Sequence, residues 1–172
     1  MALFASPYRT ASGDSVKLTA LKYYISNVVL VKEDGSFYKT TGIYHLVDEL
    51  DDASHALHLK NIPAGNYKEV RFLLGVDSAK CAALPDTGAF NPSKGMRYTD
   101  GSGPIMIKVE GLYSGNKSFK YWIGGWKDAA IRASNTISLS RSVNQSFTIG
   151  EKRDCDVHLF VDVLELFKTP YA

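Results

Sequence analysis

The sequence contains no long apolar run. The longest, from Tyr23 to Val31, is interrupted by Ser26 and Asn27, whereas a helix needs about 20 apolar residues to cross a bilayer. We therefore predict no transmembrane segment. Residues 1–9 also lack the basic head and continuous apolar stretch of a secretion signal, so an export signal is either absent or already removed.

The chain also has few cysteines and nearly balanced charge. Lysine and arginine number 20 against 18 for aspartate and glutamate. The two signs are interspersed, so there is no basic stripe for a phosphate backbone, and we predict that nucleic acid is not a partner. The only cysteines, Cys81 and Cys155, can form a disulfide, be two buried apolar side chains or be metal ligands. No cysteine or histidine spacing typical of a zinc site is present.

Catalytic motifs are also missing. The sequence has no Gly-x-Ser-x-Gly elbow, no phosphate-binding Walker loop and no His-Glu-x-x-His zinc helix. The acidic cluster Asp48, Glu49, Asp51 and Asp52 is typical of a solvated loop, because calcium sites use spaced oxygen ligands. We therefore predict a binding protein rather than an enzyme, with no catalytic residues.

Alternating polarity dominates what is present. In the stretch from Tyr67 to Asp77, the apolar residues Val70, Phe72, Leu74 and Val76 recur at every second position, which is the pattern of a half-buried β-strand. The same period recurs along the chain, and helical spacing is rare. With 172 residues and 45% hydrophobic content, one domain over residues 15–172, after a flexible leader at 1–14, is expected.

Turn signals divide the chain into about eight to ten predicted strands. Between Ser78 and Gly103, prolines and glycines are too frequent for regular structure, although Ser78 to Leu84 fits one or two helical turns. Because no helical crossovers are available for parallel pairing, we predict an all-β, antiparallel β-sandwich with one long irregular loop, and a closed barrel as second choice. Predicted short strands include one at Leu57, Leu59 and Ile62, one at Ile137 and Leu139, one at Phe147 and Ile149, and a closing strand through Val157, Leu159, Val161 and Val163.

Four segments in this order resemble the MbnP-like family, the extracytoplasmic copper-associated proteins of methanotrophs and their Bacteroidetes lipoprotein relatives. They are Tyr23-Tyr-Ile-Ser-Asn-Val-Val-Leu30, Gly65-Asn-Tyr-Lys-Glu-Val-Arg-Phe-Leu-Leu-Gly-Val-Asp77, Gly95-Met96 leading to Lys108-Val-Glu-Gly111, and Leu159-Phe-Val-Asp-Val-Leu-Glu-Leu-Phe167. The resemblance implies a β-sandwich exported to the periplasm or outer membrane, often lipid-anchored in its precursor. It also implies copper binding through histidine in some members.

The chain departs from that pattern at two places. Tryptophans commonly follow the Gly-Met pair in the family, but Arg97 and Tyr98 follow it here. Where relatives commonly carry histidine before Gly-Gly, this chain has Trp122, Ile123 and then Gly124. An indole has no lone pair available for a divalent ion, so the family's copper site does not transfer to this position.

The leading functional hypothesis is nevertheless a transition-metal site at His45 and His158. Imidazole suits copper, nickel or zinc, and copper is the strongest competitor for mixed nitrogen and oxygen ligands. His158 shares its predicted strand face with Asp156 and Asp162. The alternative is that each is an isolated structural histidine. His55 and His58 are predicted to be surface loop residues.

The second hypothesis is a surface module that binds a protein or a glycan through exposed aromatic residues. Tyr98, Trp122 and Trp126 are the predicted anchors, because aromatic rings bring large apolar area at low entropic cost. The alternation places Trp122 with Ser118 and Lys120, away from the predicted core face. The alternative is that both indoles cover the edge of the core under the long loop.

Overall fold

The computed structural model describes residues 4, 6–10, 13–114, 117–125, 127, 137–150 and 155–168. The predicted antiparallel β-sandwich is confirmed, with eight strands over these ranges, little helix and a sheet that does not close into a barrel. The strands are β1 Tyr8–Arg9, β2 Ser15–Lys32, β3 Phe37–Lys39, β4 Tyr44–Asp48, β5 Gly65–Leu74, β6 Ile105–Tyr113, β7 Lys117–Gly124 and β8 Ile137–Ile149. The helix α1 covers Ser78–Ala82.

The long strand β2 organises the sheet. Lys22 and Tyr23 pair with both β4 and β6, whereas Ile25 and Ser26 pair with both β4 and β5. A strand has only two edges, so β5 and β6 must lie end to end along the same edge of β2. The opposite edge carries β1, β4 and β3, while β7 and β8 extend the order to β7-β6-β2-β5-β8.

Hydrogen bonds lock the point where β5 leaves β2 and β6 takes its place. The Gly75 N–H donates to the Tyr24 carbonyl at 2.9 Å, and the fully buried Ser26 hydroxyl donates to the Gly75 carbonyl at 2.8 Å. Asn27, at a positive φ of 52° beside a register shift, donates its amide to Asp77 Oδ2 at 3.3 Å. Two of the segments that carry the family resemblance are therefore in direct contact.

Asp77 continues this junction into the long loop. It accepts hydrogen bonds from the Tyr44 hydroxyl at 2.6 Å and from the backbone N–H of Lys80 at 3.0 Å, which caps α1. Burial alone would raise the pKa of Asp77, but the hydrogen bonds from Tyr44, Lys80 and Asn27 together lower it below 3.8. Burial, with the Asp77 contact second, raises the pKa of Tyr44 to about 12, so its hydroxyl stays a donor.

Apolar burial divides the interior into three clusters. One lies under the first half of β2 and under β6, a second under its other half with β4 and β5, and a third fastens the long loop to β2 and β4. Their buried members are, in turn, Val16, Leu18, Leu21, Val109 and Val163; Ile25, Val28, Leu30, Val47, Tyr67, Val70 and Phe72; and Tyr24, Leu46, Val76, Cys81, Phe90, Met96, Ile105 and Met106.

The long irregular loop is confirmed, and its first residues form the short helix α1 within the predicted range. Two further 3-10 turns, Gly88–Phe90 and Pro92–Lys94, follow. Arg97 closes the base of the loop tip: its guanidinium donates to the carbonyls of Pro85 and Phe90 and pairs with Asp86 at 2.6 Å. The loop is therefore a packed unit despite its lack of regular structure.

Four predicted strands differ from the structure. Leu57, Leu59 and Ile62 pack against the core without joining the sheet, because side-chain burial does not require a ladder. The two strands predicted around 137–139 and 147–149 are one strand, β8, with an irregular register opposite β5. The closing strand does not form: residues 155–162 have no regular structure, and a 3-10 turn at Val163–Phe167, capped by Asp162, follows.

Two further predictions concern a disulfide and a transmembrane segment. Cys81 is buried in the loop cluster, Cys155 is exposed, and the two do not form a disulfide, so the disulfide alternative is not realised. Within the described ranges, no helix has the length and hydropathy to cross a membrane.

The lowered pKa of Asp77 predicts a pH-dependent stability difference. Asp77→Asn removes the anion, and we expect roughly 1 kcal/mol lower unfolding free energy at pH 7, the scale of a partly exposed hydrogen bond to a charged group. A carboxyl group whose pKa is lowered by folding stabilises the fold at pH values above its ordinary pKa of 3.8. This stabilisation is lost as the pH falls through the pKa of the folded state. The difference from the parent should therefore shrink below about pH 4.

Urea unfolding followed by circular dichroism from pH 7 to pH 3 measures this difference. Asp52→Asn, at an exposed carboxylate in a surface turn, is the matched control and should change little. A difference between parent and Asp77→Asn that stays constant down to pH 3 would contradict the role of the ionised carboxylate.

Candidate binding site

The hairpin of β6 and β7 brings aromatic and charged side chains to one face. Lys108 is directly opposite Trp122, and Glu110 is directly opposite Lys120. Paired residues on antiparallel strands share a face, as do residues two apart on one strand. All four side chains therefore project from the same side of the sheet.

Trp122 is held in place by three of these neighbours. Its indole N–H donates to Glu110 Oε1 at 2.8 Å. The ammonium groups of Lys108 and Lys120 lie 4.7 and 5.4 Å from the indole centroid, in the range of cation–π attraction. The Trp122 side chain is still 36% exposed, so the ring is fixed and accessible at once.

Lys108 connects this group to the long loop. Its ammonium lies 3.7 Å from Glu110 Oε1 and donates to the Gly95 carbonyl at 3.1 Å. The end of the loop is thereby fastened beside the indole.

Tyr98 reaches the same place from the loop. Its N–H donates to the Gly103 carbonyl at 3.0 Å, and its hydroxyl donates to the Trp122 carbonyl at 2.6 Å. The two rings are tilted by 59° with centroids 6.1 Å apart. Burial, followed by the nearby Asp100 charge, raises the pKa of Tyr98 and keeps the hydroxyl protonated. We call Tyr98, Trp122, Lys108, Glu110 and Lys120 the aromatic patch.

Gly124 makes the approach of Tyr98 possible. A Cβ at this position would lie 2.7 Å from the Tyr98 ring and 2.6 Å from the Pro104 carbonyl oxygen. Because real Cβ atoms do not approach other atoms so closely, any side chain here would displace the loop from β7. The glycine that follows Ile123 is thus a steric requirement of the patch.

The structure brings two of the three predicted aromatic anchors together. Tyr98 and Trp122 are in contact, while Trp126 lies outside the described residues. Lys108 and Glu110 were not among the predicted site residues. Their signal is the hairpin register, which places them opposite Trp122 and Lys120 once the loop between β6 and β7 is known.

A cleft of about 380 Å³ lies several strands away from the patch along the sheet. A row of directly opposite residues runs across the strands from Trp122 through Lys108 and Lys22 to Asp48, which lines this cleft. Asp48 is three strand spacings, or about 14 Å, from Trp122. The Lys22 ammonium pairs with Asp48 at 2.8 Å. The cleft is lined by Tyr44, His45, Leu46, Asp48, Asp51, Ser54, Gly88, Ala89 and Lys94.

His45, one of the two predicted metal ligands, lines this cleft from β4. Its Nε2 lies 2.7 Å from the Ser54 carbonyl oxygen, which can only accept, so Nε2 is the protonated nitrogen. Asp48 is paired with Lys22, and Asp51 accepts from the Ala53 N–H as a turn cap. These groups therefore already have partners within the chain.

The remaining histidines are spread over the surface. His158 is exposed in segment 155–162, outside any strand. His55 lies 3.5 Å from Glu49 at the end of a 3-10 turn, and His58 is exposed, as expected for loop residues. In the described ranges, no three His, Cys, Asp or Glu side chains are grouped closely enough to hold a metal ion.

Fold and patch together define an all-β domain that displays an ordered aromatic surface. The family model described as MbnP matches residues 2–172, so the chain belongs to the MbnP family. No curated protein matches the chain. MbnP from Methylosinus trichosporium is a similar solved structure, with 15% identity and a TM-score of 0.47; the match covers 78% of this chain and 61% of that one.

The packing of Tyr98 on Trp122 predicts a fluorescence signature. With Trp126→Phe, Trp122 is the sole indole, and acrylamide should quench it to an intermediate extent because the side chain is 36% exposed. Tyr98→Ala in this background should increase the quenching constant, since it removes a ring packed against the indole. Tyr113→Ala, exposed at the far end of β6, should not. An unchanged constant in Tyr98→Ala would contradict the contact.

Proposed function

We propose that this MbnP-family chain is an extracytoplasmic, non-catalytic domain that binds a protein partner through the aromatic patch. The observation that carries the proposal is that Trp122 is fixed by Glu110, Lys108 and Lys120 and yet stays accessible. Family membership supports the compartment. A periplasmic or outer-membrane-associated location, with a lipid anchor on the precursor, is part of the proposal.

The hydrogen bonding at the patch favours a polypeptide over a glycan. Sugar hydroxyls require directional hydrogen bonds beside the aromatic ring. Here the Trp122 N–H, the Tyr98 hydroxyl and the Lys108 ammonium already donate within the chain. What remains for a ligand is apolar ring surface with a charged rim, which matches the apolar centre and polar rim of protein interfaces.

Preorganisation makes the patch suitable for binding. An aromatic side chain that is free in solution loses rotamer entropy when a partner orders it. The contacts of Trp122 with Glu110 and Tyr98 impose that order before any partner arrives. Four of the five patch residues also stand on two paired strands rather than on a loop tip, so the sheet sets their geometry.

Site-specific photocross-linking in the source organism tests the proposal. A benzophenone amino acid at Lys120, on the rim of the patch, should capture one protein other than this chain, and Trp122→Ala should abolish the product. With the captured protein purified, Trp122→Ala should raise Kd at least about tenfold, which corresponds to about 1.4 kcal/mol.

Tyr121 provides the matched control for this experiment. It is a similarly exposed aromatic residue on the opposite face of β7. A cross-linker at Tyr121 should not capture the same protein, and Tyr121→Ala should leave Kd unchanged. Equal capture from both faces, or an affinity that does not depend on Trp122, would refute binding through the patch.

Transition-metal binding at His45 is the second candidate function. The favouring observation is that His45, Asp48 and Asp51 all line one cleft. The donor set does not fit a closed coordination sphere, because Nε2 is bonded to Ser54 and Asp48 is paired with Lys22. The proposal is therefore an open site with one imidazole ligand, His45 Nδ1, for which copper is the strongest competitor.

Calorimetric titration of tag-free protein with Cu(II) tests the second candidate. His45→Asn should lower Cu(II) affinity, whereas His58→Asn, which removes an exposed loop histidine, should not. His158→Asn tests the other predicted ligand in the same way. Equal Cu(II) affinity in the parent, His45→Asn and His158→Asn proteins would exclude both residues as ligands.

A further inference from the structure

Segment 155–162 exposes an unusual amount of apolar surface. Half of the large hydrophobic side chains that are exposed in the described residues lie between 157 and 166. Phe160 is 97% exposed, and Val157, Leu159 and Val161 are 41 to 58% exposed. Contiguous exposed apolar surface in a folded protein marks an interaction site.

The outer edge of β7 is the complementary feature. β7 is the last strand on its side of the sheet order, and over the described ranges it pairs with β6 alone. An open edge presents backbone N–H and C=O groups that can accept an added strand. β7 contains eight residues, and segment 155–162 has the same length, with apolar residues alternating in Val157, Leu159 and Val161.

Charge is also complementary between the two elements. β7 carries Lys117 and Lys120 and no acidic residue. Segment 155–162 carries Asp156 and Asp162 and no lysine or arginine. Lys117 and Lys120 project from opposite faces of β7, whereas Asp156 and Asp162 share one face of an extended segment, so the direct cross-strand attraction is between these aspartates and Lys120. Like charges oppose the pairing of either element with itself.

The segment cannot extend along the β7 edge of its own chain over its full length. Val163, the next residue, is buried in the cluster formed by Val16, Leu18, Leu21 and Val109 on β2 and β6. A strand added outside β7 would lie about 10 Å from β6, since strands are about 4.8 Å apart. One residue spans only about 3.8 Å, so the residues nearest to Val163 cannot reach that edge.

We propose that segment 155–162 of one copy adds as a strand to the outer edge of β7 of a second copy. The exchange is reciprocal, so the two contacts are related by a two-fold axis. It pairs backbone groups of the exposed edge and covers apolar side chains of the segment. The interface lies at the edge of β7 and meets the aromatic patch only at Lys120, which borders both.

Molar mass in solution, with charge-reversed variants, tests the exchange. The parent at about 100 µM should have a weight-average mass close to twice the 18.9 kDa of one chain, as expected for a Kd of about 10 µM. Asp156→Lys, and separately Lys117→Glu with Lys120→Glu, should each raise the dimer Kd at least about tenfold by placing like charges together. Asp162 is left unchanged because it caps the turn at Val163–Phe167.

Mixing the two variants provides the decisive measurement. In the mixed dimer, the reversed segment meets the reversed edge, and the native segment meets the native edge, so both contacts regain opposite charges. The equimolar mixture should therefore recover the parent's dimer. Asp52→Lys and Lys60→Glu, at exposed positions outside both elements, control for net charge and should dimerise like the parent.

Hydrogen exchange adds a readout of backbone pairing. Amides of β7 that face the open edge should exchange more slowly at about 100 µM than at a concentration about a hundredfold lower, where a Kd near 10 µM leaves mostly monomer. A parent that stays at 18.9 kDa would overturn the proposal, whether the segment is free, folds onto its own chain or awaits a different protein. A dimer that both charge reversals leave intact would overturn it equally.

Discussion

The junction between β2, β5 and β6 is the constraint on which the rest of the structure depends. Ser26 and Tyr24 of β2 hold Gly75, and Asn27 holds Asp77, at the point where one neighbour of β2 ends and the next begins. The Ser26 hydroxyl and the Gly75 carbonyl are buried together, so either one alone would be a polar group without a partner. Their mutual satisfaction fixes where the long loop leaves the sheet.

The candidate binding site follows from that constraint through register. Because β5 and β6 share one edge of β2, the start of β6 is set next to Tyr23, and the β6–β7 hairpin then places Lys108 beside Trp122. The loop that leaves at Gly75 returns through Met96, which is buried against the core, and so delivers Tyr98 to the same surface. Neither strand nor loop alone would assemble the patch.

Local pattern determined what was predictable. Strand alternation correctly predicts β5, in the stretch where Val70, Phe72 and Leu74 recur at every second position. The predicted closing strand at 157–163 shows the limit, since alternation reports that a segment can pair but not that an edge is available to it. Likewise, the contact of Tyr98 with Trp122 joins a loop residue to a strand residue, and no local repeat in the sequence predicts such a contact.

Arg97 has a consequence for how this domain can vary. Arg97 donates to the carbonyls of Pro85 and Phe90 and so joins the two ends of a short tip. The packing of the rest of the loop therefore does not depend on how many residues lie between them. The strand registers do not depend on the number of residues in this tip either. An epitope or a small module inserted after Asp86 would thus be presented on a closed stem, which makes this domain a ready scaffold for grafting.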